Sequence, residues 1–266
     1  MVASAVLLAA CGGPMRDGRL AMVRGDFEGA ARAYGRATEA QPDDPQTWLA
    51  LGRAEMAAER YPRARDAFER VARLRPRAAL PRVLIGNTWE LSRRYDEALL
   101  AYRHATQVAP RSAYAHRVMG TRLLRWGRTE LARPVLERAV ELDRTHAETW
   151  NALALARYHD EDLDGAEQAF REGIALHPRH RGLKLGLAAL LINRGQHQAA
   201  LALYDEVLAS RPRFAPAHVG RGILLHELDR QDEAEAAFVE AVRVARDPAE
   251  YRERLRAYRA LRAGQD

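Results

Sequence analysis

The side chains able to do chemistry are few and dispersed. Cys11, in "LLAACGGP", is the only cysteine among 266 residues, so no intramolecular disulfide can form. Of the nine histidines, His177 and His180 in "HPRH" flank a proline at a spacing that suits a metal ion. The rest of a coordination shell cannot be read from the sequence, and their turn position makes them surface residues. The sequence contains no G-x-x-x-x-G-K-[ST] phosphate loop, no H-E-x-x-H and no G-x-S-x-G. These residues predict a protein that is not an enzyme and needs neither a metal nor another cofactor.

The charge balance points the same way. Lys184 is the only lysine among 42 basic residues, which stand against 36 acidic ones for a net charge of +6. Arginines are interspersed with acids, as in Glu69-Arg70 and Glu137-Arg138, rather than clustered as a phosphate-binding stripe requires, so no nucleic-acid partner is expected. Apolar residues make up 47% of the chain, and Ala, Leu, Arg and Glu are abundant. That composition favours helices over strands.

The elements that position these side chains follow a period of 34. Pro42, Pro76, Pro110, Pro178 and Pro212 share one column, with Arg144 and Arg246 in the two remaining places. In frames counted from Cys11, the twentieth position is Ala30, Ala64, Ala98, Ala132, Ala166, Ala200 and Ala234. The eighth is always small (Gly18, Gly52, Gly86, Gly120, Ala154, Ala188, Gly222). The twenty-fourth is bulky (Tyr34, Phe68, Tyr102, Leu136, Phe170, Tyr204, Phe238). Small residues at two columns let antiparallel helices approach closely while the bulky column fills the space beside them. The proline lacks an amide hydrogen and ends the second helix. Gly25-Asp26, Gly127-Arg128 and Gly195-Gln196 mark turns between the helices.

These columns resemble the tetratricopeptide repeat, as in "PQTWLALGRAEMAAERYPRARDAFERVARLRPRA", which carries Trp48, Leu51-Gly52, Tyr61, Ala64, Phe68 and Pro76. The resemblance implies an all-α, right-handed α-solenoid of about seven 34-residue helix-turn-helix hairpins over 15–248. The frames are 11–44, 45–78, 79–112, 113–146, 147–180, 181–214 and 215–248. Glu55, Arg157 and Arg221 depart from it, since apolar residues usually occupy their columns. Stacked hairpins leave an open apolar end, and residues 249–266 read as the helix that caps it, with Tyr251, Leu255, Tyr258 and Leu261 on one stripe.

A solenoid of hairpins presents a concave surface, and positions two, five, nine and twelve of each first helix form one stripe toward it. From frame to frame the proposed partner groove is Leu49, Arg53 and Met56; Val83, Asn87 and Glu90; Arg117, Thr121 and Leu124. It continues as Asn151, Leu155 and Tyr158; Leu185, Ala189 and Ile192; Val219, Ile223 and His226. The groove is mixed early and apolar late, with "LKLGLAALLIN" at 183–193 apolar on nearly all sides. Such a patch suits a peptide or helix of a protein partner. The paired Lys and Asn with which some family members clamp a chaperone's terminal carboxylate are absent from the groove positions.

Leu8-Ala9-Ala10-Cys11 resembles the lipobox of bacterial lipoproteins. The resemblance implies that residues 1–10 are a signal peptide, and the lack of any Lys or Arg before the apolar run implies that it is truncated. Cys11 would then carry the acyl chains, with 11–18 as a tether. Several acyl chains anchor stably at about 0.8 kcal/mol per buried CH₂. Gly12 and Gly13 lack the Asp that retains such proteins at the inner membrane, which places this one on the outer membrane facing the periplasm. The expected function is a membrane-anchored, non-enzymatic scaffold that holds an envelope protein segment and acts in assembly. Pilotin lipoproteins of type IV pilus secretins share this architecture. The alternatives are a soluble cytoplasmic adaptor or regulator, a pilotin-like assembly factor, and the non-catalytic subunit of an enzyme complex.

Overall fold

The computed structural model describes residues 13–263; Cys11 and the apolar run 1–10 lie outside them. The described residues form fifteen helices and no strand. Fourteen run as consecutive pairs: α1 (Pro14–Val23) with α2 (Phe27–Ala40), α3 (Pro45–Ala57) with α4 (Tyr61–Leu74), α5 (Ala79–Leu91) with α6 (Tyr95–Val108), and α7 (Ala113–Arg125) with α8 (Thr129–Leu142). The series continues with α9 (Ala147–His159) and α10 (Leu163–Leu176), α11 (Arg181–Asn193) and α12 (His197–Ser210), α13 (Ala215–Glu227) and α14 (Gln231–Val244). A last helix, α15 (Ala249–Ala263), packs on α14. The helices group into two compact units that divide within α7, after Arg122. The first helix begins at Pro14, inside the stretch read as a tether, because Pro suits a helix's first turn and Gly18 must reach Tyr34.

Every hairpin turn is built alike, in a way the sequence shows only in part. The residue at position fifteen of each frame has positive φ: Gly25, Glu59, Arg93, Gly127, Glu161, Gly195 and Asp229. At each turn that residue's amide donates to the carbonyl three back, and the next amide to the one five back. Examples are Glu59 N to Met56 O at 3.1 Å and Arg60 N to Glu55 O at 2.8 Å. This left-handed cap satisfies carbonyls that the helix end would otherwise leave bare. Glycine marks it in three frames; in the other four an L side chain bears the strain.

The second helix of each pair stops two residues before the proline column, at Ala40, Leu74, Val108, Leu142, Leu176, Ser210 and Val244. Arg144 keeps proline's place because its carbonyl is used in the same way. Trp48 Nε1 donates to Pro42 O at 2.8 Å, and Trp150 Nε1 donates to Arg144 O at 3.0 Å.

In the first unit the core runs through Ala30, Ala64 and Ala98, all fully buried, with Tyr34, Phe68 and Tyr102 beside them. A methyl group on Gly18, Gly52 or Gly86 would lie 2.4–2.5 Å from the nearest ring carbon of Tyr34, Phe68 or Tyr102. The eighth position must therefore be small so that the ring of the same hairpin can lie across it. The polar residue in an apolar column, Glu55, is buried and 3.9 Å from the guanidinium of Arg60.

The second unit repeats this core with Ala132, Ala166, Ala200 and Ala234, but the glycine moves. Where the eighth position is Ala154 or Ala188, the close approach is made at position six of the following hairpin. A methyl on Gly186 would sit 2.4 Å from Phe170, and one on Gly220 2.6 Å from Tyr204. In these two hairpins the ring thus lies against the glycine of the next hairpin's first helix. Arg157 replaces an apolar residue by reaching two elements, donating to Gly165 O at 3.0 Å and Glu137 Oε1 at 3.1 Å. Arg221 donates to Asp205 Oδ1 at 2.8 Å. The end of this unit is closed by α15: Tyr258 is buried 4.8 Å from the Phe238 ring, and its hydroxyl donates to Gln231 O at 2.9 Å. Arg259 and Arg262 pair with Glu235, and Arg262 also with Asp232. No helix among the described residues is long and apolar enough to cross a membrane.

Candidate functional site

In the first unit the expected groove residues divide into three environments. Arg53 is exposed, while Leu49 and Met56 are half-buried against the cluster formed by Ala64, Phe68 and Leu84. Val83 is fully buried, which removes it from any contact surface. Asn87 and Glu90 belong to a polar cluster around Tyr102, whose hydroxyl lies 2.8 Å from Asn87 Oδ1 and 3.1 Å from Glu90 Oε2. Arg122 Nε lies 2.6 Å from the same Glu90 oxygen. Burial, then the nearby Glu90 carboxylate, pushes the Tyr102 phenol well above its ordinary range. Arg117 and Thr121 are half-buried, and the Thr121 hydroxyl is spent on its own helix, donating to Arg117 O at 2.8 Å.

In the second unit Leu124, Asn151 and Leu155 are half-buried, and Tyr158 accepts a hydrogen bond from Asn193 Nδ2 at 2.8 Å, which ties α9 to α11. On α11, Ala189 is exposed and Leu185 and Ile192 half-buried, so this stripe is partly accessible. Val219 is buried, Ile223 is 45% exposed and His226 is half-buried. These last three meet Phe238, Arg254, Ala257, Tyr258 and Leu261 around an apolar concavity of about 360 Å³. Leu261, the outer member of the cap's apolar stripe, is 51% exposed at its rim. The capping helix thus buries Tyr258 and adds a wall to the late groove. The repeat columns do not show this wall, because α15 lies outside the 34-residue frame.

The His177 and His180 pair is not brought together with further ligands. His180 caps α11, accepting from Leu183 N at 3.2 Å, and its other nitrogen is 3.7 Å from Glu148. Among the described residues, no group of three His, Cys, Asp or Glu converges as a metal site. Cys11, the expected lipidation residue, lies outside the described residues.

A tetratricopeptide repeat model matches residues 16–79 and 117–180, and a second model of the same description matches 191–258. No curated protein matches the chain. Solved structures with the same fold include "YrrB: a TPR protein with an unusual peptide-binding site", 22% identical, with a TM-score of 0.56 over 71% of this chain and 97% of that one. PilF of Pseudomonas aeruginosa is 19% identical, with a TM-score of 0.62 over 79% and 95% of the two chains. MamA is 24% identical, with a TM-score of 0.56 over 60% and 94%.

Proposed function

Because the chain belongs to the tetratricopeptide repeat family, whose arrays serve as protein-interaction scaffolds, we propose that it is a non-enzymatic scaffold holding a peptide or helix of an envelope protein. The observation that carries this reading is the apolar concavity between α13, α14 and α15, with Ile223 and Leu261 presented to solvent at its edge. Large apolar side chains held open around a recess favour a partner that supplies the missing apolar surface. The exposed Ala189 stripe of α11 extends the same chemistry along the unit. Peptide binding in the structurally similar YrrB, stated in its description, agrees with this use of the fold.

The scaffold is anchored through acyl chains on Cys11, in the outer membrane and facing the periplasm. This part of the proposal rests on the Leu8-Ala9-Ala10-Cys11 pattern alone. The two parts separate in one experiment: affinity purification from native membranes of the intact protein, Cys11→Ala, Leu185→Asp/Ile192→Asp and Ile223→Asp/Leu261→Asp. The expected result is that Cys11→Ala leaves the membrane fraction, while the groove variants stay anchored and lose an envelope partner. A Cys11→Ala protein that remains membrane-bound removes the anchor. Folded groove variants that retain every partner remove the site.

A further inference from the structure

Position four of the frame holds tryptophan in two hairpins, and each indole N–H closes on the carbonyl of the proline column, at Pro42 and at Arg144. In the third hairpin the residue is Arg82. It is about nine-tenths buried and has no carboxylate within salt-bridge distance among the described residues. Its Nη1 donates to Ala78 O at 3.0 Å, and its Nε donates at 3.4 Å to His104 Nε2, two neutral acceptors. Nη2 has no hydrogen-bond acceptor among the described residues. Instead of an indole filling the junction, an open notch of about 510 Å³ remains between α4, α5 and α6. Arg82 lines it together with Arg73, His104, Glu69 and the apolar Ala72, Pro76, Ile85 and Ala101. Glu69 does not neutralise Arg82; it lies 3.9 Å from Arg73.

Arg82 is mostly buried and bonded only to neutral acceptors, yet it lines the open notch, where its planar fork matches a carboxylate. We infer that the Arg82 notch is a ligand site for an aliphatic carboxylate, its carboxylate on Arg82 and its apolar part over Ala72, Ile85 and Ala101. The volume falls within the range of small-ligand pockets, and an apolar wall with one charged anchor is their usual composition. Arg73 stands 3.9 Å from Glu69, so Arg82 is the lining arginine with no carboxylate beside it; that balance favours a monoanion over a phosphate, which would bring a second negative charge toward Glu69. The site shares no residue with the proposed groove and stands or falls independently of it.

The test is titration of the full chain and its variants by isothermal titration calorimetry, with sodium hexanoate and with N-acetyl-leucine, which separates a free acid from a chain terminus. Hexylamine and inorganic phosphate serve as controls. Saturable binding of at least one carboxylate is expected, with neither control competing, and with about tenfold or greater weakening in Arg82→Gln. Arg82→Trp, which restores the residue of the other hairpins, should abolish binding and raise the melting temperature. Unchanged affinity in Arg82→Gln, absence of saturable binding, phosphate binding as well as hexanoate, or a lower melting temperature in Arg82→Trp overturns the inference. The last of these would show Arg82 to be a structural element of the junction.

Discussion

Replacing the left-handed residue of a hairpin turn with glycine should stabilise the array at the four turns that lack it, and most at three of them. Glu59, Arg93 and Glu161 have φ of 59°, 59° and 61°, and their side chains are exposed. An L residue in this region costs about 1–2 kcal/mol, and glycine loses about 0.5–1 kcal/mol through its freer unfolded chain. The difference leaves a net gain of roughly 0.5–1 kcal/mol for each of Glu59→Gly, Arg93→Gly and Glu161→Gly. Asp229→Gly should gain less, because Asp229 Oδ1 accepts from Gln231 Nε2 at 3.2 Å. The reverse change isolates the same quantity, since a methyl on Gly25, Gly127 or Gly195 would have nothing within 4 Å. Gly127→Ala should therefore lose about 1 kcal/mol through backbone strain alone. Urea unfolding by circular dichroism reads these effects as midpoint shifts at constant slope. A lower midpoint for Glu161→Gly, or none for Gly127→Ala, would refute the assignment of strain to this column.

Other perturbations address packing and pH. Gly52→Ala should cost about 1–3 kcal/mol as its methyl meets Phe68, whereas Gly35→Ala, in open space within α2, should gain about 0.5–1 kcal/mol; both are measured by urea unfolding. Ala98→Val and Ala166→Val, at fully buried positions, should each lose about 1–3 kcal/mol in the same assay. The phenols of Tyr102, Tyr204, Tyr34 and Tyr258 are all raised, chiefly by burial, so the folded state holds their protons longer than the unfolded state does. Their contribution is complete below the unfolded tyrosine pKa of about 10 and is lost as pH rises above it. Stability measured from pH 8 to 11 should therefore be flat and then fall, and with Lys184 the only lysine, side-chain amines add little to that change. Tyr102→Phe should shallow that alkaline fall.

The sequence was legible where one column maps onto one physical demand. Ala at position twenty and a bulky residue at twenty-four recur at one place in each hairpin's core, and every member of both columns is buried. Position fifteen was legible at three glycines only, because a hydrogen-bonded cap can hold Glu, Arg or Asp in the same conformation. Gly186 and Gly220 went unread because their rings belong to the preceding hairpin, a contact the frame does not contain. The groove was legible as a stripe but not as a surface. Val83 and Val219 lie on the stripe and are covered by neighbours, while Leu261, from outside the repeat, completes the recess.

Site-specific photo-crosslinking in intact cells tests the scaffold reading most directly, with a photoreactive residue at Ile223 or Ala189 and, as control, at Leu100, exposed on a second helix. The account predicts one discrete adduct with an envelope protein from Ile223 and Ala189, suppressed by Leu261→Asp, and none from Leu100. Adducts equal at all three positions, or absent at Ile223 and Ala189 in a folded protein, would contradict it.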